Sequence, residues 1–180
     1  MLTTDRLILR QWKSEDIEKF IKINKNTRVM KYYPDILTRS ETLKFISTES
    51  KFLQENGWGY WAVELKSSGD FLGFIGLKEE KTLFDFSPCV AIAWRLDEDS
   101  WGHGYASEGA EVVLKYAFEH LNLDEVVAFT AVINMRSEDL MKHLKMSKIK
   151  EFTHPSLDEK HLLSKHILYA IKNKSWVKNQ

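Results

Sequence analysis

The spacing of hydrophobic positions changes along the chain, and each change marks a different kind of element. Alternation over 7–12 predicts a strand, and apolar residues three or four positions apart then predict two helices. Ser14 can cap the first helix, and Thr38 precedes the second with Glu41 at capping-box spacing. The core-facing positions expected on the second helix are Leu43, Ile46 and Leu53.

Strand-like runs dominate the middle of the chain, and helices and strands alternate after it. The predicted strands are 60–65, 71–77, 89–96, 126–132 and 166–171. Helices are predicted directly after Gly104 and over 137–145. The order of strand, two helices, three strands, helix, strand, helix and strands predicts an α/β fold, a mixed sheet with helices on both faces.

Composition narrows the class of protein. The chain has 180 residues, enough for one domain over 1–180 with a proper core. Lys and Arg number 26 and so do Asp and Glu, and this zero formal charge argues against a general nucleic-acid binder. No apolar run approaches the roughly 18 residues of a membrane span, and the start of the chain lacks the pattern of a signal peptide. We therefore expect a cytoplasmic protein that binds neither membranes nor nucleic acid.

Cysteine and histidine usage excludes some site chemistries. Cys89 is the single cysteine, so no internal disulfide can form, and its apolar surroundings favour a buried thiol over a nucleophile. The histidines show no metal-ligand spacing, and we expect no metal. His154 could act as a base, although a turn or capping role next to Pro155 is favoured.

The most informative segment is the glycine loop at 101–106, which reads Trp-Gly-His-Gly-Tyr-Ala and leads into a helix. Two glycines one residue apart allow a tight turn, and the helix N-terminus directs its N–H groups and partial positive charge to the same place. This arrangement suits a pyrophosphate. It is not a Walker A sequence, and Ser107 stands where a dinucleotide-binding fingerprint has its third glycine.

Several segments, in one order, resemble the RimJ/RimL-like branch of the GNAT superfamily of N-acetyltransferases. The segments that carry the resemblance are 4–10, 71–77, 92–96, 101–108, 134–137, 152–155 and 166–169. It covers nearly the whole chain. It implies the GNAT fold, a mixed and mostly antiparallel sheet that is flanked by helices and splayed between its two central strands.

The resemblance also implies acetyl-CoA as cosubstrate, bound between the strand ending at Leu96 and the strand ending at Val132. The implied cofactor-binding residues are Trp94, Arg95, Leu96, Trp101, Gly102, His103, Gly104, Tyr105, Ala106, Ser107, Asn134 and Ser137. Tyr32 and Tyr33 are expected to line the acceptor site, whereas Trp61 is as well explained by the core as by that site. The implied partners are acetyl-CoA, an amine acceptor and, in relatives, a second copy of the chain.

The implied activity is direct attack of a primary amine, a protein N-terminus or a small molecule, on the thioester. Two positions depart from the branch: Ala91 replaces a glutamate that can act as base, and Met141 replaces a tyrosine that can protonate the thiolate. Ser137 then remains as the candidate proton donor and catalytic residue. The alternative is an acyl-CoA-binding sensor or interaction protein with impaired chemistry.

A different class of protein, a nucleotide-binding or regulatory domain, could use the same glycine loop. It needs an acidic residue about 20 positions after the loop to recognise a ribose. Asp124 and Glu125 stand near that distance, but the order of elements in an acetyltransferase already accounts for them.

Overall fold

The computed structural model of the chain describes residues 1–178. Within them the strands are β1 (Leu2–Thr3), β2 (Leu7–Arg10), β3 (Tyr60–Leu65), β4 (Phe71–Glu80), β5 (Cys89–Leu96), β6 (Glu125–Ala131), β7 (Ser147–Thr153) and β8 (Lys165–Lys172). The helices are α1 (Asp16–Lys25), α2 (Arg39–Asn56), α3 (Tyr105–Glu119), α4 (Met135–His143) and α5 (Asn173–Lys178). None of the described helices is long and apolar enough to cross a membrane.

The chain divides into two compact units. Unit 1 comprises Met1–Leu77 and Ala93–Val113, and unit 2 comprises Lys78–Ile92 and the chain from Leu114 onward. β4, β5 and α3 therefore contribute residues to both units.

Unit 1 contains the strand order β1-β2-β3-β4-β5 and the helices α1 and α2. The pairs β1–β2, β2–β3 and β3–β4 are antiparallel, with Leu9 opposite Val63 and Trp61 opposite Ile75. The core of the unit holds fully buried side chains from three strands and α1. Examples are Leu7, Leu9, Phe20, Trp61 and Ile75.

A buried ionic network joins β2, β3 and α1 in unit 1. Arg10 donates two hydrogen bonds to the carboxylate of Asp16, at 2.7 and 2.8 Å, and a third to Glu64 at 2.6 Å. Lys13 N–H also donates to Asp16. The burial of these charges is compensated because each one is paired.

Unit 2 contains the strand order β5-β6-β8-β7. β5 and β6 are parallel, with Ala91 opposite Val127, whereas β6–β8 and β7–β8 are antiparallel. The pairing of β6 with β8 runs from Glu125 opposite Lys172 to Ala131 opposite His166. The strand pairs described above are antiparallel except for the parallel pair β5–β6. This is the mixed, mostly antiparallel sheet that the fold class predicts.

The sequence patterns predict most elements within a few residues, and the Thr38–Glu41 capping box is confirmed. Ser14 is not a helix cap: α1 is preceded by Glu15 at the cap position, because Asp16 and its partners hold the first turn. On α2, Leu43 is exposed and Thr42 is buried in its place. α4 begins two residues earlier than predicted, at Met135.

Candidate functional site

The glycine loop of unit 1 forms an exposed turn at the start of α3. Gly102 and Gly104 have φ values of 79° and 80°, the left-handed conformation that disfavours residues with a Cβ. Gly102, His103 and Gly104 are exposed, while Tyr105, Ala106 and Ser107 are half-buried in the first turn of the helix. The backbone amides of this turn can therefore bind an anion from solvent at the positively charged N-terminus of a 15-residue helix.

Residues before β2 hold this loop in place. Arg6 donates from Nε to Glu108 Oε2 at 2.6 Å, from its backbone N–H to Glu108 Oε1 at 2.8 Å, and from Nη1 to the His103 carbonyl at 2.9 Å. Thr4 donates a further hydrogen bond to Glu108. The Arg6 guanidinium also lies 4.8 Å from the centre of the Tyr105 ring. We call Thr4, Arg6 and Glu108 the loop clamp.

The clamp changes the acidity of Glu108. Burial raises the pKa of this carboxyl, but the hydrogen bonds from Thr4 and Arg6 outweigh burial and the pKa lies below its ordinary value. Sequence analysis assigned no role to these side chains. The sequence does show that Glu108 is an acidic residue in the first turn of a helix, where the helix dipole favours a negative charge. It does not show which residue pairs with that charge.

The end of β5 leads into the loop. The indole N–H of Trp101 donates to the Leu96 carbonyl at 3.1 Å and so closes the turn between strand and loop. A Cβ at Gly73 on β4 would lie 2.1 Å from the Arg95 carbonyl oxygen, so the Arg95 backbone faces β4 at close range. Because backbone groups alternate along a strand, the carbonyls of Trp94 and Leu96 face the opposite edge.

The side chain of Arg95 is buried among aromatic rings. Its guanidinium carbon lies 4.1 Å from the centre of the Tyr33 ring. Its Nη1 donates to Asn24 Oδ1 at 2.7 Å. Sequence analysis names Arg95 only among the implied cofactor-binding residues, and the structure adds a buried cation at this position.

The three residues expected at the acceptor site differ in exposure. Tyr32 and Tyr33 are half-buried in the segment between α1 and α2. Trp61 is 1% exposed on β3, which supports the core interpretation of that side chain.

In unit 2, Asn134 caps α4 and positions Ser137. Its Oδ1 accepts from the Ser137 N–H at 3.4 Å, and its Nδ2 donates to Ser137 Oγ at 3.1 Å and to Thr130 Oγ1 at 2.9 Å. Ser137 Oγ is the acceptor in its bond with Asn134, so the hydroxyl proton is not used there. The Asn-x-x-Ser spacing thus gives a half-buried serine with a fixed oxygen.

The two positions that depart from the branch lie in apolar surroundings. Ala91 is 5% exposed in a cluster with Val127, Leu168 and Ala170, against which Phe86, Cys89, Phe129 and Phe152 pack. Met141 is 1% exposed. Neither side chain can exchange a proton.

Two other candidate groups have pKa values that burial shifts. Burial, with the charges of Glu80 and Glu125, raises the pKa of the Cys89 thiol to about 11, which keeps it protonated and unreactive at neutral pH. Burial lowers the pKa of His154, and its Nδ1 accepts from the Ser156 N–H at 3.2 Å. This bond is the local turn interaction that sequence analysis favours for His154.

Comparison with known proteins identifies the class. Residues 6–147 match the acetyltransferase (GNAT) domain family. The chain is 29% identical over 153 residues to the uncharacterized N-acetyltransferase YoaA of Bacillus subtilis (strain 168), covering 84% of each chain. It therefore belongs to the GNAT acetyltransferase family, whose cosubstrate is acetyl-CoA, and the expected enzyme class, an N-acetyltransferase, is confirmed.

Solved structures confirm the fold class. A GNAT-family acetyltransferase from Bacillus anthracis superposes with a TM-score of 0.80 at 22% identity, covering 96% of this chain and 98% of that one. RimL, a ribosomal L7/L12 α-N-protein acetyltransferase in complex with coenzyme A, superposes with a TM-score of 0.77 at 14% identity, covering 97% and 98%.

Proposed function

We propose that this chain transfers the acetyl group of acetyl-CoA to a primary amine, with the backbone amides of 103–107 holding the pyrophosphate. The observation that carries the proposal is the exposed Gly102–Gly104 turn, fixed at the start of α3 by Arg6 and Glu108. A turn held from outside keeps its N–H groups oriented before the ligand arrives, which lowers the entropic cost of binding. Trp94 and Leu96 have backbone groups on the edge of β5 opposite β4, which suits pairing with the pantetheine arm.

The proposed reaction is a direct transfer with no acyl-enzyme. The amine nitrogen attacks the thioester carbon, the C–S bond breaks, and the thiolate of coenzyme A takes a proton. Ser137 supplies that proton and regains one from water, and Asn134 positions the serine by donating a hydrogen bond to its oxygen. The amine loses its own proton to water.

Because no dedicated base removes the amine proton, the acceptor must be an amine that is partly unprotonated at neutral pH. Neither Ala91 nor Met141 can take a proton. An α-amine has a pKa near ~8, so about a tenth of it is unprotonated at neutral pH, whereas a lysine amine near ~10.4 is almost fully protonated. We therefore favour an α-amine or another weakly basic amine, which is consistent with a place in the RimJ/RimL-like branch. Tyr32 and Tyr33 are the side chains that we assign to the acceptor site.

The first test is release of free coenzyme A from acetyl-CoA by the purified chain. The acceptor panel contains peptides with free N-termini, amino acids, polyamines and N-terminally blocked peptides with one lysine. Turnover of α-amines faster than lysine side chains supports the proposal. Faster lysine acetylation contradicts the role given to the missing base.

The second candidate function is an acyl-CoA-binding sensor or interaction protein, favoured by the apolar surroundings of Ala91 and the burial of Met141. Thermal stabilisation by acetyl-CoA without turnover of any amine supports it. Self-association of the chain stays a prediction, and sedimentation of the purified protein with and without acetyl-CoA measures it.

A further inference from the structure

Arg95 is a buried cation whose charge is not neutralised within the described part of the chain. The side chain is 8% exposed, and its Nε atom is buried with no hydrogen-bond partner. Its Nη1 donates a hydrogen bond to Asn24 Oδ1, and no carboxylate in residues 1–178 forms an ion pair with it. A buried charged donor without a partner is costly, and such groups are uncommon in native proteins outside functional sites.

Arg10 provides a comparison within the same unit. It is also 8% exposed and also comes from a strand, but two carboxylates bind three of its nitrogens. Arg10 therefore has the environment of a structural arginine. Arg95 has the same burial, with aromatic faces and one neutral amide in place of the carboxylates.

The surroundings of Arg95 hold the guanidinium in one orientation. Phe74 and Phe45 lie 5.6 and 5.9 Å from its guanidinium carbon, in addition to Tyr33 at 4.1 Å. Asn24 is fully buried, and its Nδ2 donates to Thr42 Oγ1, so its oxygen stays directed at Arg95. A planar guanidinium held in this way offers its remaining N–H groups as a fork, the geometry that binds a carboxylate.

Tyr33 places its ring over the Arg95 guanidinium. This ring is half-buried and belongs to the irregular segment between α1 and α2. Tyr33 is also one of the two side chains that we assign to the acceptor site. The buried cation therefore lies against one of the two rings that we assign to the acceptor site.

We propose that Arg95 binds a carboxylate carried by the amine acceptor. This inference rests on the proposed acetyl transfer and specifies its substrate class: an amine with a carboxylate nearby, supplied either by the α-carboxylate of a free amino acid or by an acidic side chain next to a peptide N-terminus. Amines that carry positive charge alone, such as polyamines, are disfavoured because a buried cation repels them.

The test measures kcat and KM for matched acceptor pairs at saturating acetyl-CoA. The first pair is a free amino acid and its carboxamide, and the second is two peptide amides that begin Ser-Asp and Ser-Asn. Because the two α-amines of the first pair differ in basicity, its acid-to-amide ratio is compared between the parent and the variants. Spermidine is the purely cationic acceptor. The variants are Arg95→Gln, Arg95→Lys and, as control, Arg39→Gln, which removes an exposed arginine paired with Glu18. The two pairs distinguish the free amino acid from the peptide as the source of the carboxylate.

We expect the parent to prefer the acid of one pair by about 10-fold to 100-fold, mainly through KM, as charge-assisted hydrogen bonds provide. Arg95→Gln abolishes the preference, Arg95→Lys retains part of it because it keeps the charge without the fork, and Arg39→Gln leaves it unchanged. If Arg95→Gln does not fold, as judged by circular dichroism, the comparison of Arg95→Lys with the parent carries the test.

Two results overturn the inference while acetyl transfer stands. One is an acid-to-amide ratio of kcat/KM that is the same in the parent and in Arg95→Gln for both pairs. The other is an Arg95→Gln variant whose only change is a raised KM for acetyl-CoA, measured separately with that cosubstrate varied. Absence of all turnover defeats the proposed function instead, and binding then decides the inference. In that case the melting temperature is measured with coenzyme A and each acid or amide. Stabilisation by an acid that Arg95→Gln abolishes supports the carboxylate site, and equal shifts for acid and amide contradict it.

Discussion

Arg6 and Glu108, 102 positions apart in the chain, are joined by two hydrogen bonds of 2.6 and 2.8 Å. The same arginine holds the His103 carbonyl. One residue directly before β2 thus holds both the glycine loop and the first turn of α3. This clamp ties an exposed turn with two left-handed glycines to the segment before β2.

Weakening the clamp should reduce both stability and acetyl-CoA binding. In Glu108→Gln, a neutral amide replaces the carboxylate that accepts from Thr4 and Arg6, so we expect a loss of about 1–3 kcal/mol in unfolding free energy. We also expect the Kd for acetyl-CoA to rise about tenfold, equivalent to about 1.4 kcal/mol. Urea denaturation and calorimetric titration measure the two effects. Glu119→Gln, at the exposed end of α3, is the control and should change neither.

The glycines of the loop allow backbone strain to be separated from ligand binding. Gly102 and Gly69 have φ values of 79° and 74°, and a Cβ added at either would meet no atom within 4 Å. Gly102→Ala and Gly69→Ala should therefore each lose about 1–2 kcal/mol of stability, from backbone strain alone. Only Gly102→Ala should weaken acetyl-CoA binding. Equal Kd values for the two variants would show that the loop does not contact the cosubstrate.

Ser137 should affect the chemical step more than binding. Removing a proton donor typically costs about 100-fold or more in rate, so Ser137→Ala should lower kcat by about that factor while the KM for acetyl-CoA changes little. Ser147→Ala, an exposed serine at the start of β7, is the matched control. An unchanged kcat in Ser137→Ala would assign thiolate protonation to water.

Asn134→Ala tests the positioning of that serine. The variant removes the cap of α4, which costs about 1 kcal/mol, and also the hydrogen bond to Ser137 Oγ. We expect kcat to fall together with stability. Asn134→Ser, which keeps a capping oxygen, should restore stability but not kcat; recovery of both would mean that the cap alone matters.

Stability should decrease on mild acidification because of two adjacent histidines in unit 2. The rings of His154 and His166 lie 4.9 Å apart. Burial lowers both pKa values below the ordinary 6.5; the charge of His154 lowers that of His166 further, while Glu80 and backbone hydrogen bonds act in the opposite direction. As the pH falls below about 6.5 the unfolded chain binds protons first, so this contribution is complete above that pH and is lost below it.

The measurement is the urea midpoint at about pH 7.5 and about pH 5.5. His166→Phe, which suits the neighbouring rings of Phe129 and Phe152, should reduce the fall between the two values. His120→Gln, an exposed histidine on the same unit, should leave the fall unchanged. An equal fall in the parent and His166→Phe would exclude His166 as its cause.

Local patterns in the sequence predict much of the fold and part of the site. The capping box at Thr38 and Glu41, the left-handed glycines of the loop and the Asn134 cap each depend on residues within three positions of one another, so their chemistry is visible in the chain itself. Hydrophobic periodicity likewise predicts the longer strands and α3, because burial of one face imposes the period. The predicted cap at Ser14 is wrong because a contact between two elements decides the start of α1. Asp16 is held there by Arg10 of β2, and local spacing does not reveal that contact.

Only the tertiary structure determines the environment of each charged side chain. Arg10 and Arg95 both lie in apolar strands and look alike in sequence. Arg10 is hydrogen-bonded to the carboxylates of Asp16 and Glu64. Arg95 is hydrogen-bonded to Asn24, 71 positions away, and lies against the ring of Tyr33. Which neighbours a strand residue meets depends on register, on the face that it occupies and on the helix packed there. Sequence therefore predicts the family and the phosphate loop, and the packing of α1 and α2 over β5 creates the unneutralised cation.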